Sequence, residues 1–429
     1  MASRPSARFP RLFQVLEIIV IFLAVGLVNT SALIGFRQFP EVDNYSDDEG
    51  WYVVGAIVNA LLILLILKRN GLMASYAGVW RKNRFFFLFL VYASLSILWS
   101  VYVPATLYKL VFLFLSTIVG SYIAVRCHLR EVINVLSWIG GFFTALSLAM
   151  VVFLPVAGVM QNEPFVGSWT GIFWHRNHTG NLFAFFNAMF LIRLLMEPNS
   201  SIKKKGGFAI FYLLTALMVF GSRSATGIIV FLFLHLVAAL IFGWLKYRQR
   251  LRAWHYAVAA TALLGGFFIF ITNTAFFFGL LGRTPTMTGR IPLWIDIFQH
   301  AYLRQPIVGY GYGALWMLKG FRIEMQLRHG WPYQVYFADN GFFDILLNLG
   351  VVGLALFLAV YLPFGFRALK QGILSGSGIA FLPFVTFLYV FVGNLTYSFL
   401  LEVDQFVWML LVIMIFLTSS QSSNRIAQP

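Results

Sequence analysis

The chain has 429 residues, 60% of them hydrophobic and only 11% charged, with a mean hydropathy of +0.81; soluble domains run near a half and a quarter. That excludes a water-soluble globular enzyme and makes the chain an integral membrane protein. The formal charge of +16 is no argument for nucleic acid, because the basic residues lie mainly between apolar runs, and the single Cys127 excludes an internal disulfide and a cysteine-built metal site.

Crossing roughly 30 Å of hydrocarbon takes about 20 apolar residues in a helix. Twelve such runs can be marked, at 12–34, 51–67, 85–101, 105–125, 132–157, 179–196, 207–222, 225–245, 254–274, 341–363, 377–396 and 403–419. They lack the period-2 alternation of barrel strands, so the expected fold class is all-α, a polytopic bundle of about 12 transmembrane helices. The first run follows Arg4, Arg8 and Arg11 and has no small-residue cleavage site, so it reads as a retained span. Loops holding Lys68, Arg69, Arg81, Lys82 and Arg84, then Arg126 and Arg130, then Lys203 to Lys205, then Lys246 to Arg252, then Arg367 and Lys370 alternate with loops poor in basic charge. The positive-inside rule puts this basic set and both termini in the cytoplasm. The stretches 39–50, 160–181 and about 275–340 then face outward. The expected organisation is spans one to nine over 1–274, a large outer loop with short helices over 275–340, and spans ten to twelve with a cytoplasmic tail over 341–429. No internal repeat is evident, which weighs against a transporter of two matching halves.

Along the chain, "WHRNHTGN" (174–181) opens a span with His175, Arg176, Asn177 and His178. Two histidines without further ligands make a poor zinc site; polar groups at a helix N-terminus, contacting a sugar or phosphate, fit better. "FGSRSATG" places Arg223 in a tight break between two spans. Charge so close to hydrocarbon marks a functional candidate, the alternatives being a snorkelling side chain or a pair with Glu402 or Asp404. "RIPLWIDIFQHAYLR" (290–304) looks helical, with Leu293, Ile297, His300 and Ala301 on one side, and "QPIVGYGYG" ends it. Gly309, Gly311 and Gly313 do not make a dinucleotide loop, since no strand precedes them; a tight turn where backbone meets a neighbour is expected. Asp339 and Asp344 stand at the start of span ten, where the helix dipole favours an acid. Asp339 reads as an N-terminal cap or as a carboxylate able to take a proton from a sugar hydroxyl.

Seven arginines, Arg176, Arg223, Arg283, Arg290, Arg304, Arg322 and Arg328, fall on the outer side, where the positive-inside rule expects few. A guanidinium is always charged and its planar fork matches phosphate oxygens, so a lipid-linked diphosphate at the outer boundary would explain the set. Trp169, Trp174, Trp294, Tyr310, Tyr312 and Trp316 would line a sugar path or form the interfacial belt.

In order and spacing, "LSILWSVYVPATLYKL" (95–110), "GSWTGIFWHRNHTGNLFAF" (167–185), "SRSATG" (222–227), "TGRIPLWIDIF" (288–298), "QPIVGYGYGALW" (305–316) and "DNGFFDILLNLGVVGLALF" (339–357) resemble the O-antigen ligase and O-antigen polymerase superfamily. Within it they are similar to exopolysaccharide polymerases of the succinoglycan type. The resemblance implies a helical bundle of the bacterial inner membrane with one large periplasmic loop. It also implies transfer of a glycan from undecaprenyl diphosphate to a sugar hydroxyl with inversion, using no metal, cofactor or nucleotide sugar. By the same resemblance Arg290, in the "TGR..LW" element, and Arg223, in "SRS", bind the diphosphate. The family's His-x-His-Asn stands here as Phe337-Ala338-Asp339-Asn340, so Asp339 takes the base's place, with His329 as the alternative. Loss of both histidines favours a polymerase over a lipid A ligase. Arg176, His175, Asn177, Arg283, Trp294, Tyr310 and Asn340 are the expected substrate contacts. Expected partners are the undecaprenyl-diphosphate-linked donor, a glycan or lipid-linked acceptor, membrane lipids and other polysaccharide-export proteins, with no nucleic acid. The rival reading is a lipid-linked oligosaccharide flippase or other 12-helix transporter, which should gather its polar groups near the midplane.

Overall fold

The computed structural model describes residues 47–161, 165–197, 200–250, 290–331, 334–400 and 406–420. The expected spans at 12–34 and 254–274, and Arg283, Glu402 and Asp404, lie outside them. The described residues are helical apart from turns and one isolated bridge between Val159 and Trp169. Apart from segments of five residues or fewer, the helices in chain order are α1 (Asp47–Arg69), α2 (Met73–Lys82), α3 (Arg84–Leu95), α4 (Val103–Arg126), α5 (Leu129–Phe153), α6 (Arg176–Met196), α7 (Ile202–Gly221), α8 (Ala225–Tyr247), α9 (Arg290–Asp296), α10 (Lys319–His329), α11 (Gly341–Ser375), α12 (Leu382–Thr396) and α13 (Phe406–Ser420).

Each expected apolar run that falls on described residues is helical, yet not each is a full span. Among the described residues, seven helices are long and apolar enough to cross a membrane, or eight if α1 and α2, bent by 111° at their junction, form one. Helix α13 has 15 residues, about 22 Å at 1.5 Å per residue, short of the hydrocarbon thickness.

Burial sorts the helices. Helix α6 packs against both α7 and α8, and 83% of its apolar window is buried, with Asn181, Asn187 and Arg193 buried among the apolar side chains. Helix α13, packed on α4, is buried from Phe406 to Thr418. Helices α7 and α8 instead leave Leu213, Leu217, Leu232, Leu236 and Leu240 exposed at helical spacing, an apolar stripe suited to lipid. Glycine allows the closest crossing: a Cβ on Gly227 of α8 would come within 2.6 Å of the Gly180 backbone of α6.

Helix α11 is interrupted at Gly350, which has φ 65° and ψ −170°, a conformation glycine reaches without a Cβ clash. The segment Gln305–Gly313 fills the break. Tyr310 N donates to Leu347 O at 2.9 Å, Gly311 N to Asn348 O at 3.0 Å, and Val351 N to Pro306 O at 2.9 Å. Irregular backbone inside an apolar bundle is tolerated when other backbone satisfies it in this way. A Cβ on Gly309 would meet Asn348 at 2.6 Å and one on Gly311 would meet Ser100 at 2.6 Å, so the glycines serve close backbone approach. Between α8 and α11, Leu293, Ile297, Ala301, Leu315, Trp316, Met325 and Ala338 form a small core that also takes in Leu347 of α11. The polar insert is thereby keyed to the broken helix.

Candidate active site

Three long helices begin at the same end of the bundle. His175 caps α6, its Nδ1 accepting from Asn177 N at 3.2 Å. Ser224 caps α8, accepting from Gly227 N at 3.1 Å and donating to Asn177 Oδ1 at 2.9 Å, which ties the two starts together. Asn340 caps α11, accepting from Phe342 N and Phe343 N. Helix N-termini carry partial positive charge and exposed N–H groups, so this end of the bundle favours an anion.

Arg223 lies in the turn between α7 and α8 with φ 50°, and Asp339 precedes α11 with φ 52°. They are the two non-glycine residues with left-handed backbone among the described residues. Such strain, of order 1 kcal/mol or more, persists where surroundings impose it and gathers at functional sites. Around Arg223 the restraint is visible: Arg176 Nη1 donates to the Arg223 carbonyl at 2.7 Å, and the Arg176 guanidinium lies 4.1 Å from the Phe165 ring centre. The Arg223 side chain is exposed, passes over Gly167, and forms no ion pair among the described residues.

Arg290, the first residue of α9, donates Nε to Asp339 Oδ2 at 3.1 Å and Nη2 to Thr226 Oγ1 of α8 at 3.4 Å. The other carboxylate oxygen, Asp339 Oδ1, is buried without a hydrogen bond. The peptide before Asp339 is clamped from both sides. Ala338 N donates to both oxygens of Asp344 at 3.2 Å, and Ala338 O accepts from Trp294 Nε1 at 2.7 Å. Asp344 is held in turn by Trp316 Nε1 at 2.6 Å and by Ser398 Oγ. The role of Asp344 as anchor was not foreseen from its sequence position, although its place one turn into α11 keeps it within reach of residue 338.

His175 sits beside this cluster, its ring parallel to Tyr397 at 6.2 Å. Burial, reinforced by the positive charges of Arg176, His178 and Arg290, holds its pKa down to about 3, so the imidazole is neutral near pH 7. That neutrality suits a helix cap.

The structure therefore brings together His175, Arg176, Asn177, Arg223, Arg290 and Asp339, from segments up to 164 residues apart in number, and adds Thr226, Ser224 and Phe165. Other expected contacts have structural partners. Trp294 holds Ala338, Asn340 caps α11, and the Tyr310 hydroxyl donates to Ala301 O at 2.8 Å. Arg322 is buried, donating to Gln334 Oε1 and Trp316 O and lying over Tyr336. His329, at the end of α10, lies 3.3 Å from Asp296 and stacks on Trp331; it is not part of the Arg290–Asp339 pair.

Residues 210–358 match the family model described as O-antigen ligase. That stretch holds Arg223, Arg290, Asp339 and the break in α11, while His175 and Arg176 come from outside it. No curated protein matches the sequence. With apolar helices long enough to cross a bilayer, the chain is a multi-pass membrane protein, and over residues 210–358 it is similar to the O-antigen ligase family.

Proposed function

We propose that this site transfers a glycan from undecaprenyl diphosphate to a sugar hydroxyl on a second, glycan-bearing acceptor, at the periplasmic face of the bacterial inner membrane with both termini cytoplasmic. One observation carries the reading: exposed Arg223 and the Arg290–Asp339 pair both stand at the end of the bundle where three long helices begin, and the pair's carboxylate keeps one oxygen without a hydrogen bond. In the proposed step an acceptor hydroxyl attacks the anomeric carbon of the donor. A new C–O bond forms as the bond to the diphosphate oxygen breaks, and the diphosphate leaves with the electron pair. Arg290 and Arg223 meet the charge growing on that oxygen, with the three helix N-termini behind them. Asp339 Oδ1 takes the hydroxyl proton, general-base catalysis by a group already oriented through its other oxygen.

A single displacement inverts the anomeric centre. A covalent intermediate would need a second free carboxylate, and Asp344 is fully engaged by Trp316, Ala338 and Ser398. The reaction so drawn uses no metal or nucleotide sugar. The Phe337–Asn340 stretch, with Asp339 in the base's place, supports an exopolysaccharide polymerase of the succinoglycan type over a lipid A ligase. Arg176 and Asn177 act by bracing the turn at Arg223 and the start of α8.

Reconstitution of the purified protein in liposomes with undecaprenyl-diphosphate-linked glycan, and no energy source, tests the proposal. Longer lipid-linked glycan is the expected product. Lipid crossing between leaflets with no new glycosidic bond would overturn transfer in favour of a flippase.

A further inference from the structure

Helix α9 faces two polar environments. Its first residue belongs to the arginine site; its last, Asp296, does not. Asp296 is 8% exposed. Its Oδ1 lies 2.6 Å from His300 Nδ1 and 3.5 Å from Arg328 Nη1. Its Oδ2 lies 3.3 Å from His329 Nε2, yet both of these buried atoms lack a hydrogen bond. The two atoms face each other as an ion-pair contact without hydrogen-bond alignment, which leaves the carboxylate with capacity for a further donor. Asp296 and His329 line an open cavity of about 650 Å³, with Gln299 and Arg328 adding polar groups and Ile291, Pro292 and Ile295 an apolar wall. Behind His329, the Trp331 ring stacks at 4.3 Å.

An apolar wall with a few convergent polar groups is the make-up of a small-ligand site. The Asp296 carboxylate accepts, the Arg328 guanidinium donates and the Gln299 amide does both, so neighbouring hydroxyls of one sugar ring find partners along the cavity. The apolar wall meets the C–H face of that ring. Asp296 is six residues beyond Arg290, about 9 Å along the helix, so a chain whose reacting end lies at Arg290 and Asp339 reaches the cavity with a following residue. The geometry points to a glycan subsite: this cavity holds a hydroxyl-rich pyranose residue of the chain, one or more units from the reacting bond, and sets its register. The inference rests on the glycan-transfer reading. The chain can be that of donor or acceptor, which share this chemistry.

The test uses the full-length protein in detergent and, as probe, the oligosaccharide freed by mild acid from the lipid carrier of the same cells. Binding is read by tryptophan fluorescence and calorimetry. Saturable binding is expected in the wild type, weakened at least tenfold in Asp296→Asn and in Gln299→Trp. The second variant fills the cavity from an exposed position and guards against misfolding of the first. No saturable binding by the wild type, or wild-type binding by both Asp296→Asn and Gln299→Trp, would overturn the subsite. In turnover assays Gln299→Trp should raise the KM of one glycan at least tenfold with kcat retained, and whether that is the lipid-linked donor or the acceptor tells which chain occupies the cavity. An unchanged KM for both overturns it. Failure of the wild type to extend lipid-linked glycan in liposomes would instead reject the transfer reading, and the binding data would stand apart from it.

Discussion

At the end of α6 farther from the candidate site, Arg193 donates to Ser137 Oγ at 2.7 Å, to Asn134 Oδ1 at 2.9 Å and to Glu197 Oε2 at 3.0 Å, and its guanidinium lies over Phe208. At the near end, Arg290 has one carboxylate and a long contact to Thr226, and Arg223 is exposed. The same residue type is closed off by several fixed acceptors at one end and left exposed or with fewer partners at the other. A guanidinium whose donors are matched by fixed acceptors holds helices together. One held in place by a single partner, beside helix N-termini, still has donors for an anion. Arg322, matched like Arg193, marks the same distinction within the insert.

Substitutions at the two ends should separate these roles. Asp339→Asn keeps the shape and removes the base, so turnover should fall about 10²–10⁴-fold; near-normal elongation of lipid-linked glycan by a properly inserted variant would clear Asp339. Arg290→Lys keeps the charge and loses the fork, and a fall in kcat of about 10²–10³-fold is expected. Arg193→Met should do the reverse, with kcat within about twofold of wild type but folding weakened by roughly 2–4 kcal/mol as Asn134, Ser137 and Glu197 lose their donor. A thermal melt in detergent reads this, and a selective loss of kcat without a lower melting temperature would erase the contrast. Gly227→Ala presses a methyl against the Gly180 backbone and should cost about 1–3 kcal/mol, measurable in the same melt.

The smallest effect concerns pH. His175 has a folded-state pKa of about 3, below the unfolded value near 6.5. Below about pH 6.5 the unfolded chain therefore binds the extra proton, and stability is lost as pH falls from about 6.5 towards 3, by at most about 1.4 kcal/mol per unit. His175→Asn, which can still cap the helix, should flatten that slope between pH 6.5 and 5.5. An unchanged slope would show that His175 is not the group responsible.

Several of these features were legible beforehand. Apolar run length identified the helices at 103–126, 129–153, 176–196, 202–221 and 225–247 within a few residues, because helix formation in lipid follows from a local sum of side-chain transfer energies. Of the side of the 290–304 segment carrying Leu293, Ile297, His300 and Ala301, the three apolar residues are buried, since helical spacing is also local, while His300 is half-buried and turned to Asp296. The break at Gly350 escaped that reasoning: hydropathy is blind to a helix whose carbonyls are satisfied by a distant loop, although the glycines at 350 and 353 were a signal.

The candidate site divides in the same way. An excess of arginine where few were expected, and an aspartate at the start of α11, are statements about residue type and position, and the sequence alone determined them. Which arginines are matched by acceptors and which are left exposed was decided by tertiary structure. Arg290 meets Asp339 across 49 residues, Arg176 turns to the Arg223 carbonyl across 47, and His329 is drawn to Asp296. The physical reason is that charge compensation acts through space at about 3 Å, and no local property of a chain says which partner the packing will bring that close.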